Sequence, residues 1–341
     1  MTKLITALLT VILLIANSAK AEDPLADADK AYKSKNYSQA IKLYMPLALK
    51  GDSTAQFFLG SMCFDGRGVV QDYAEAVKWY KLSAVQGDSD AQYVLGIMYD
   101  NGVGVAQDSV EAVKFYKLAS AKGKPKAQYK LAVMYDNGQG VVQDYAEAVK
   151  WYKLSAAQGD ARAQYNLASM YDNGQGVVQD YAEAVKWYKL AAAQGDAKAQ
   201  YNLATIYNNG QGVVQDYAEA VKWYKLSAAQ GDASAQYNLA IQYEDGTGVV
   251  QDYAEAFKWY KLAAAQGEAK AQNNLATMYD NGQGVVQSDV SAHMWFNLAA
   301  AQGYKMSAIN RDIVARRMSQ QQIAQTQQLA KECFDRKYKG C

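Results

Sequence analysis

The chain has 341 residues, a formal net charge of +1, a single histidine and 50% hydrophobic residues. A nucleic-acid-binding protein is expected to have an excess of basic residues, so this charge balance argues against that class of function. The large hydrophobic share and the single histidine fit a well-packed helical protein.

The first 21 residues have the pattern of a secretory signal peptide. Lys3 precedes an apolar run from Leu4 to Ile15, and Ala19-Lys20-Ala21 forms a cleavage signal ahead of Glu22. The run is shorter than the roughly 20 apolar residues that a transmembrane helix needs. No cysteine follows the cleavage point, which argues against a lipoprotein anchor. We therefore expect cleavage after Ala21, a periplasmic or secreted bacterial protein, and no stable membrane anchor.

Residues 22–54 are predicted to form a shorter helical pair that caps the N-terminal end of the fold. Its first helix contains the polar residues Asp27, Asp29 and Lys30, which suit a water-facing terminal unit. Pro46 is expected to kink or interrupt the second helix, because proline has no N–H to donate.

A unit of 36 residues then recurs about seven times within residues 55–306. One position of the unit is held by an aromatic ring in every copy: Trp79, Phe115, Trp151, Trp187, Trp223, Trp259 and Trp295. Repeats of this length are typical of stacked two-helix units. A single pair leaves an apolar side uncovered, so several pairs must stack to bury it.

Each copy is predicted to contain a helix A and a helix B. In the fourth copy, Ala163 and Leu167 have the spacing of one helix face. Asp160 precedes helix A as a predicted N-cap, and Gly174 suits the left-handed conformation just beyond its end. Asp180 precedes helix B, and Glu183 three residues later gives an arrangement close to a capping box, with charges that suit the positive end of the helix dipole.

The units resemble the Sel-1-like repeat family, a branch of the tetratricopeptide-like repeats. The resemblance lies in Ala-x-x-x-Leu-Ala/Gly-x-Met-Tyr, Asn-Gly-x-Gly-Val and Asp-Tyr-x-Glu-Ala-x-Lys-Trp-Tyr, and it covers about three quarters of the chain. It implies an all-α fold, a right-handed α-solenoid of antiparallel helix pairs. It also implies a protein that binds other proteins and usually has no catalytic activity.

Residues 307–341 leave the repeat and are predicted to form a C-terminal helical cap. Ser319 with Gln322 has the pattern of a capping box that opens a helix. Cys333 and Cys341 are spaced so that they can close a small ring in an exported protein. The alternative is that they remain free or form intermolecular bonds.

Residues with catalytic, cofactor-binding or metal-binding patterns are not found, so we predict that the protein is not an enzyme and has no cofactor. The one imidazole, His293, lies at a core-facing position, and no S-x-x-K, G-x-S-x-G or C-x-x-C motif is present. Asp172-Asn173-Gly174 lacks the ligand spacing of a calcium-binding loop.

Two positions of helix A are candidates for partner binding, because the resemblance implies that its second and sixth residues line a concave groove. Beyond an apolar start that includes Phe58, these positions form a row of cations and asparagines. The candidate residues are Lys126, Lys130, Arg162, Asn166, Lys198, Asn202, Asn238, Lys270 and Asn274. Asparagine can both donate to and accept from a peptide main chain, and the cations favour acidic side chains or a terminal carboxylate. The alternative is that duplication copied these solvent-facing residues without selection for binding.

The leading functional hypothesis is a protein-binding adaptor in the bacterial envelope that holds a protein or extended peptide on its concave surface. The alternative is a protein that binds peptidoglycan or exopolysaccharide, or a weak envelope hydrolase of the β-lactamase type.

Overall fold

The structure is a computed structural model that describes residues 23–338, 340 and 341. These residues contain eighteen α-helices and no β-strand, which confirms the predicted all-α class. The predicted signal peptide lies outside the described residues. The chain divides into two compact units, one ending at Gln158 and the other beginning at Gly159.

The first unit contains the N-terminal pair and three repeats. Its helices are α1 (Pro24–Lys33), α2 (Tyr37–Leu49), α3 (Ser53–Asp65), α4 (Tyr73–Val85), α5 (Ser89–Asn101), α6 (Ser109–Ala121), α7 (Pro125–Asn137) and α8 (Tyr145–Ala157). Helices α3, α5 and α7 are A helices, and each packs against the B helix that follows it. Helix α2 continues through Pro46 to Leu49, so the expectation that this proline interrupts the helix was wrong. Pro46 lies in the last turn, where its missing N–H removes only one bond of the helix.

The second unit contains four repeats and the C-terminal cap. Its helices are α9 (Ala161–Asn173), α10 (Tyr181–Ala193), α11 (Ala197–Asn209), α12 (Tyr217–Ala229), α13 (Ala233–Asp245), α14 (Tyr253–Ala264), α15 (Ala269–Asn281), α16 (Asp289–Ala301), α17 (Lys305–Ala315) and α18 (Gln320–Asp335). Here α9, α11, α13 and α15 are A helices. Each B helix packs against its own A helix and against the A helix of the next repeat, so the pairs stack in line.

The helix ends follow the sequence signals. The Asp160 carboxylate accepts hydrogen bonds from the first-turn amides of α9, and Gly174 ends that helix at a φ of 69°. Asp180 caps α10 in the same way, but Glu183 does not complete the capping box that its position suggested. The Glu183 side chain instead accepts from Trp187 Nε1 at 3.2 Å and binds the Lys186 ammonium, because both groups lie one turn further along the same helix face.

The core of each repeat combines large side chains of one helix with alanines of another. In the repeat of α11 and α12, Leu203 and Ala204 from helix A and Tyr224 and Ala228 from helix B are at most 2% exposed. Burying a leucine or a ring of this size stabilises a fold by roughly 2 kcal/mol each. The alanines leave space for these groups, so neighbouring helices approach closely.

The loop between helix A and helix B needs its second glycine for contact with the preceding repeat. Gly212 has a φ of 68°, and a Cβ atom there would collide with the side chain and backbone of Tyr181, the first residue of α10. Glycine avoids both the unfavourable conformation and the collision. The Gly-x-Gly motif is therefore a packing element between repeats.

A buried glutamine at the fourth position of helix A joins neighbouring repeats. Gln200 is 4% exposed, and its Nε2 donates to the Ala192 carbonyl of α10 at 3.1 Å. Its Oε1 accepts from Gln230 Nε2, beyond the end of α12, at 2.8 Å. The Gln200 side chain therefore links α10 to the end of α12, and both ends of this buried amide have hydrogen-bond partners.

The C-terminal cap is fixed by a buried polar contact and by a covalent bond. His293 of α16 is 2% exposed, and its Nδ1 lies 2.7 Å from the Thr326 hydroxyl of α18. Burial, followed by the charge of Arg311, lowers the pKa of this imidazole. Cys333 and Cys341 form a disulfide with Cα atoms 5.8 Å apart. The predicted capping box of Ser319 with Gln322 is present at the start of α18.

Candidate protein-binding face

The A helices of the second unit each have a side that is not covered by their B helices. It contains the second and sixth residues of each helix, which are exposed and partly exposed respectively. We call this side the A-helix face. It consists of Arg162, Asn166, Lys198, Asn202, Ser234, Asn238, Lys270 and Asn274.

The asparagines of this face are held in place by buried tyrosines of the preceding B helices. Asn202 Nδ2 donates to the Tyr188 hydroxyl at 2.9 Å, and Asn274 Nδ2 donates to the Tyr260 hydroxyl at 2.9 Å. The matching contact from Asn238 to Tyr224 is 3.3 Å. One N–H of each amide is therefore committed to the fold, and the amide group has a fixed orientation. An asparagine amide has a second N–H and a carbonyl oxygen for further hydrogen bonds.

A row of acidic residues completes this network, and the sequence analysis did not assign it. The Tyr188 hydroxyl donates to Asp172 Oδ2 at 3.4 Å, and the Tyr260 hydroxyl donates to Glu244 Oε2 at 2.6 Å. Burial raises the pKa of both tyrosines and of Asp172. The sequence signal for these contacts is an acidic residue that recurs sixteen residues before a recurring tyrosine.

The cations lie at the opposite ends of the A helices from these acids. Lys198 and Lys270 are the second residues of α11 and α15 and are exposed. Arg162 is also exposed, and its guanidinium contacts Asp160 at 2.8 Å. The positive end of the helix dipole lies at the same end of each helix. The A-helix face therefore has a positive edge at its helix N-termini and carboxylates near its helix C-termini.

The candidate residues of the first unit lie on α7 and are less uniform. Lys126 is exposed, whereas Lys130 is partly buried with its ammonium 3.7 Å from Asp100. The apolar Phe58, at the same helix position on α3, stacks on Tyr44 with ring centroids 5.1 Å apart. Phe58 is thus part of the packing of its own unit.

The described part of the chain gives little evidence for other kinds of site. Within it, groups of three or more His, Cys, Asp or Glu residues that could hold a metal ion are absent. Helices long and apolar enough to cross a membrane are not found in that same part. The tyrosines that hold the asparagines, Tyr188, Tyr224 and Tyr260, are at most 2% exposed, so their ring faces do not offer a stacking surface for sugars.

Repeated helix pairs that stack in line define an α-solenoid repeat protein. The Sel1 repeat family model matches residues 29–52, 53–88, 89–124, 125–160, 161–196, 197–232, 233–268 and 269–304. The chain belongs to the Sel1 repeat family. Members of this family are in general non-enzymatic scaffolds for protein–protein interaction.

Solved structures of this fold are similar to the chain. A Sel1 repeat protein from Oxalobacter formigenes is 31% identical, with 87% of this chain and 91% of that chain covered and a TM-score of 0.64. A protective antigen present in uropathogenic Escherichia coli strains, which displays an SLR fold, is 31% identical, with 89% and 80% covered and a TM-score of 0.44. No curated protein matches the chain.

Proposed function

We propose that this protein is an adaptor of the bacterial envelope that binds an extended segment of another protein along the A-helix face, on the concave side of the solenoid. Export would follow from the signal peptide pattern in residues 1–21. The observation that carries the proposal is the row of Asn202, Asn238 and Asn274, each oriented by a buried tyrosine.

An extended peptide has the hydrogen-bonding groups that this row requires. Its main chain alternates N–H donors and C=O acceptors, and an amide side chain can pair with either. Because the amides are fixed before binding, little side-chain entropy is lost when they bind a ligand. The cations at the helix N-termini favour a ligand with acidic side chains or a free carboxylate.

A charge-reversal experiment tests where the ligand binds. A displayed library of random dodecapeptides would be selected on the mature chain from Glu22, and the affinities of selected peptides would be measured for two double variants. Lys198→Glu with Lys270→Glu changes the A-helix face. Lys186→Glu with Lys222→Glu introduces the same charge change on exposed lysines of the B helices α10 and α12.

We expect enrichment of acidic peptides whose binding is weakened at least tenfold by the first pair and little by the second, with the effect decreasing at high salt. Equal loss in both variants would indicate only general electrostatic attraction and would contradict the proposal. Replacing Asn202 and Asn238 by alanine should also weaken binding. An unchanged affinity in that variant would remove the amide row from the proposed site.

The proposed location has a separate test. Expression of the full chain in a Gram-negative host, followed by fractionation and mass spectrometry, should give a periplasmic or secreted product that begins at Glu22. A product that keeps residues 1–21 in the cytoplasm would contradict export.

A further inference from the structure

Helix α17, in the C-terminal cap, has an exposed apolar stripe. The helix lies where helix A of a further repeat would lie, because it follows α16 and packs against it. Ser307 and Val314, on its inner side, are fully buried. Away from that side, Met306, Ile309 and Ile313 are 56%, 54% and 46% exposed. Residues at intervals of three and four are neighbours on a helix, so these side chains form one stripe.

In a complete repeat, the position of Ile309 is covered by the B helix of the same repeat. Ile309 is the fifth residue of α17, and the fifth residue of α11 is Tyr201, whose ring packs on Tyr224 of α12 with centroids 6.0 Å apart. Helix α18 packs against α16 instead and leaves this side of α17 exposed. In the described A helices α9, α11, α13 and α15, large apolar side chains exposed to this degree are absent. The end of a repeat stack needs a polar outer side, so the stripe indicates a surface that another protein covers.

The charged residues beside the stripe make it complementary to a second copy of itself. Lys305 and Asp312 are exposed and are seven residues apart, so they lie on the same edge of α17. When two such helices pack antiparallel about a two-fold axis, this edge of one helix meets the same edge of the other in reversed order. Lys305 of each copy then meets Asp312 of the other. Asp312 also binds the Arg311 guanidinium through Oδ1, but 65% of its side chain remains exposed for this second contact.

The N-terminal cap does not offer a matching surface for the stripe. Its first helix, α1, contains the charged residues Asp27, Lys30 and Lys33, which are exposed. A head-to-tail contact would bury the isoleucines of α17 against these charges, which would lose their hydration. A two-fold contact places one apolar stripe against the other and closes the assembly at two copies.

We propose that two copies of this protein form a dimer through α17, packed antiparallel. Met306, Ile309 and Ile313 lie at the centre of the contact, and Lys305 and Asp312 lie at its edge. The stripe exposes roughly 300 Å² of apolar surface in each copy, below the 800 Å² or so that a standard interface buries per partner. The dimer should therefore be weak, with a dissociation constant of roughly 10 to 100 µM.

Sedimentation velocity of the mature chain from Glu22 tests the dimer without any peptide, so its result does not depend on the proposed function. The mass should rise from that of a monomer to that of a dimer across the expected range of concentration. Ile309→Gln with Ile313→Gln should weaken the dimer at least tenfold. Leu226→Gln with Leu262→Gln is the matched control, because these leucines of α12 and α14 are 49% and 43% exposed outside the stripe, and it should leave the dimer unchanged. Circular dichroism would confirm that both variants keep their helices.

A charge exchange tests the antiparallel arrangement. Asp312→Lys places two lysines opposite each other at each edge of the dimer, and Lys305→Asp places two aspartates there. Each variant alone should therefore dimerise more weakly than the unchanged protein. An equal mixture of the two variants should form a heterodimer, because every lysine of one variant then faces an aspartate of the other.

The other outcomes contradict the proposal. An unchanged protein that stays monomeric throughout would overturn the dimer and leave the stripe to a different protein. A dimer that survives Ile309→Gln with Ile313→Gln would place the interface elsewhere. Masses that grow beyond two copies would indicate head-to-tail stacking. A mixture of the two charge variants that fails to associate would overturn the antiparallel pairing.

Discussion

The same substitution, glutamine to methionine, is expected to destabilise the protein at one buried position of the second unit and not at another. Gln200 and Gln242 both lie on A helices and are both less than 7% exposed. At Gln200 both ends of the amide are bonded, to Ala192 and to Gln230. At Gln242 only the Nε2 end is bonded.

The magnitudes follow from these contacts. A typical hydrogen bond contributes about 1 kcal/mol net to the free energy of unfolding, so Gln200→Met should cost about 2 kcal/mol. Gln242→Met loses one bond but removes an unpaired buried oxygen, whose desolvation costs about 1 to 3 kcal/mol. It also places an apolar side chain where methionine is present in other repeats. We therefore expect Gln242→Met to be neutral or to stabilise by about 1 kcal/mol.

Native-state hydrogen exchange of the full chain, read by mass spectrometry, can measure both changes locally. In Gln200→Met, the opening free energy of peptides from α11 should fall, while peptides from α15 serve as an internal reference. Stability in a repeat protein is approximately a sum over repeats and their interfaces, so the effect should be strongest close to the substitution. If Gln242→Met lowered protection of α13 as much as Gln200→Met lowers that of α11, this reasoning would be refuted.

Three further predictions concern single features of the fold. Gly212→Ala should lower the urea midpoint more than Gly231→Ala, because both glycines have positive φ but only at Gly212 would the new Cβ atom meet another helix. The pKa of His293 is lower in the folded protein than in the unfolded chain, so the unfolded chain binds a proton first as the pH falls. The stability of the cap should therefore be full above pH 6.5 and decrease below it, and His293→Gln should remove this dependence from unfolding curves measured over that pH range. Reducing the bond between Cys333 and Cys341 should destabilise α18 by about 2 to 3 kcal/mol, and an unchanged exchange rate of α18 after reduction would contradict this.

Much of the fold was predictable because each repeat carries complete local signals. The aspartate caps, the glycine that ends helix A and the leucine and alanine spacing all act within a few residues of one another. These short-range effects do not depend on the neighbouring repeats, so they could be read from the sequence. The failures at Pro46 and Glu183 are also local. Pro46 lies in the last turn of its helix, where a missing N–H costs only one hydrogen bond. Glu183 has Lys186 and Trp187 close by, and it binds these residues instead of the helix N-cap.

The candidate site was less predictable, since its chemistry depends on contacts between repeats. The sequence indicated a row of asparagines, but it did not indicate that Asn202 and Asn274 are bonded to buried tyrosine hydroxyls. It also gave no reason to connect Asn208 with Gln242, which are 34 residues apart and on different A helices. Such pairs are brought together only when the helix pairs stack.

The sequence by itself determined the class of fold, the length of the repeating unit and the positions of the helices, because periodic apolar spacing and helix caps are local. Only the tertiary structure decided which polar side chains are committed to the fold and which oxygen remains unpaired. Hydrogen bonds between repeats depend on the distance and orientation of whole helices, and these are set by the packing of rings against alanines throughout each stack.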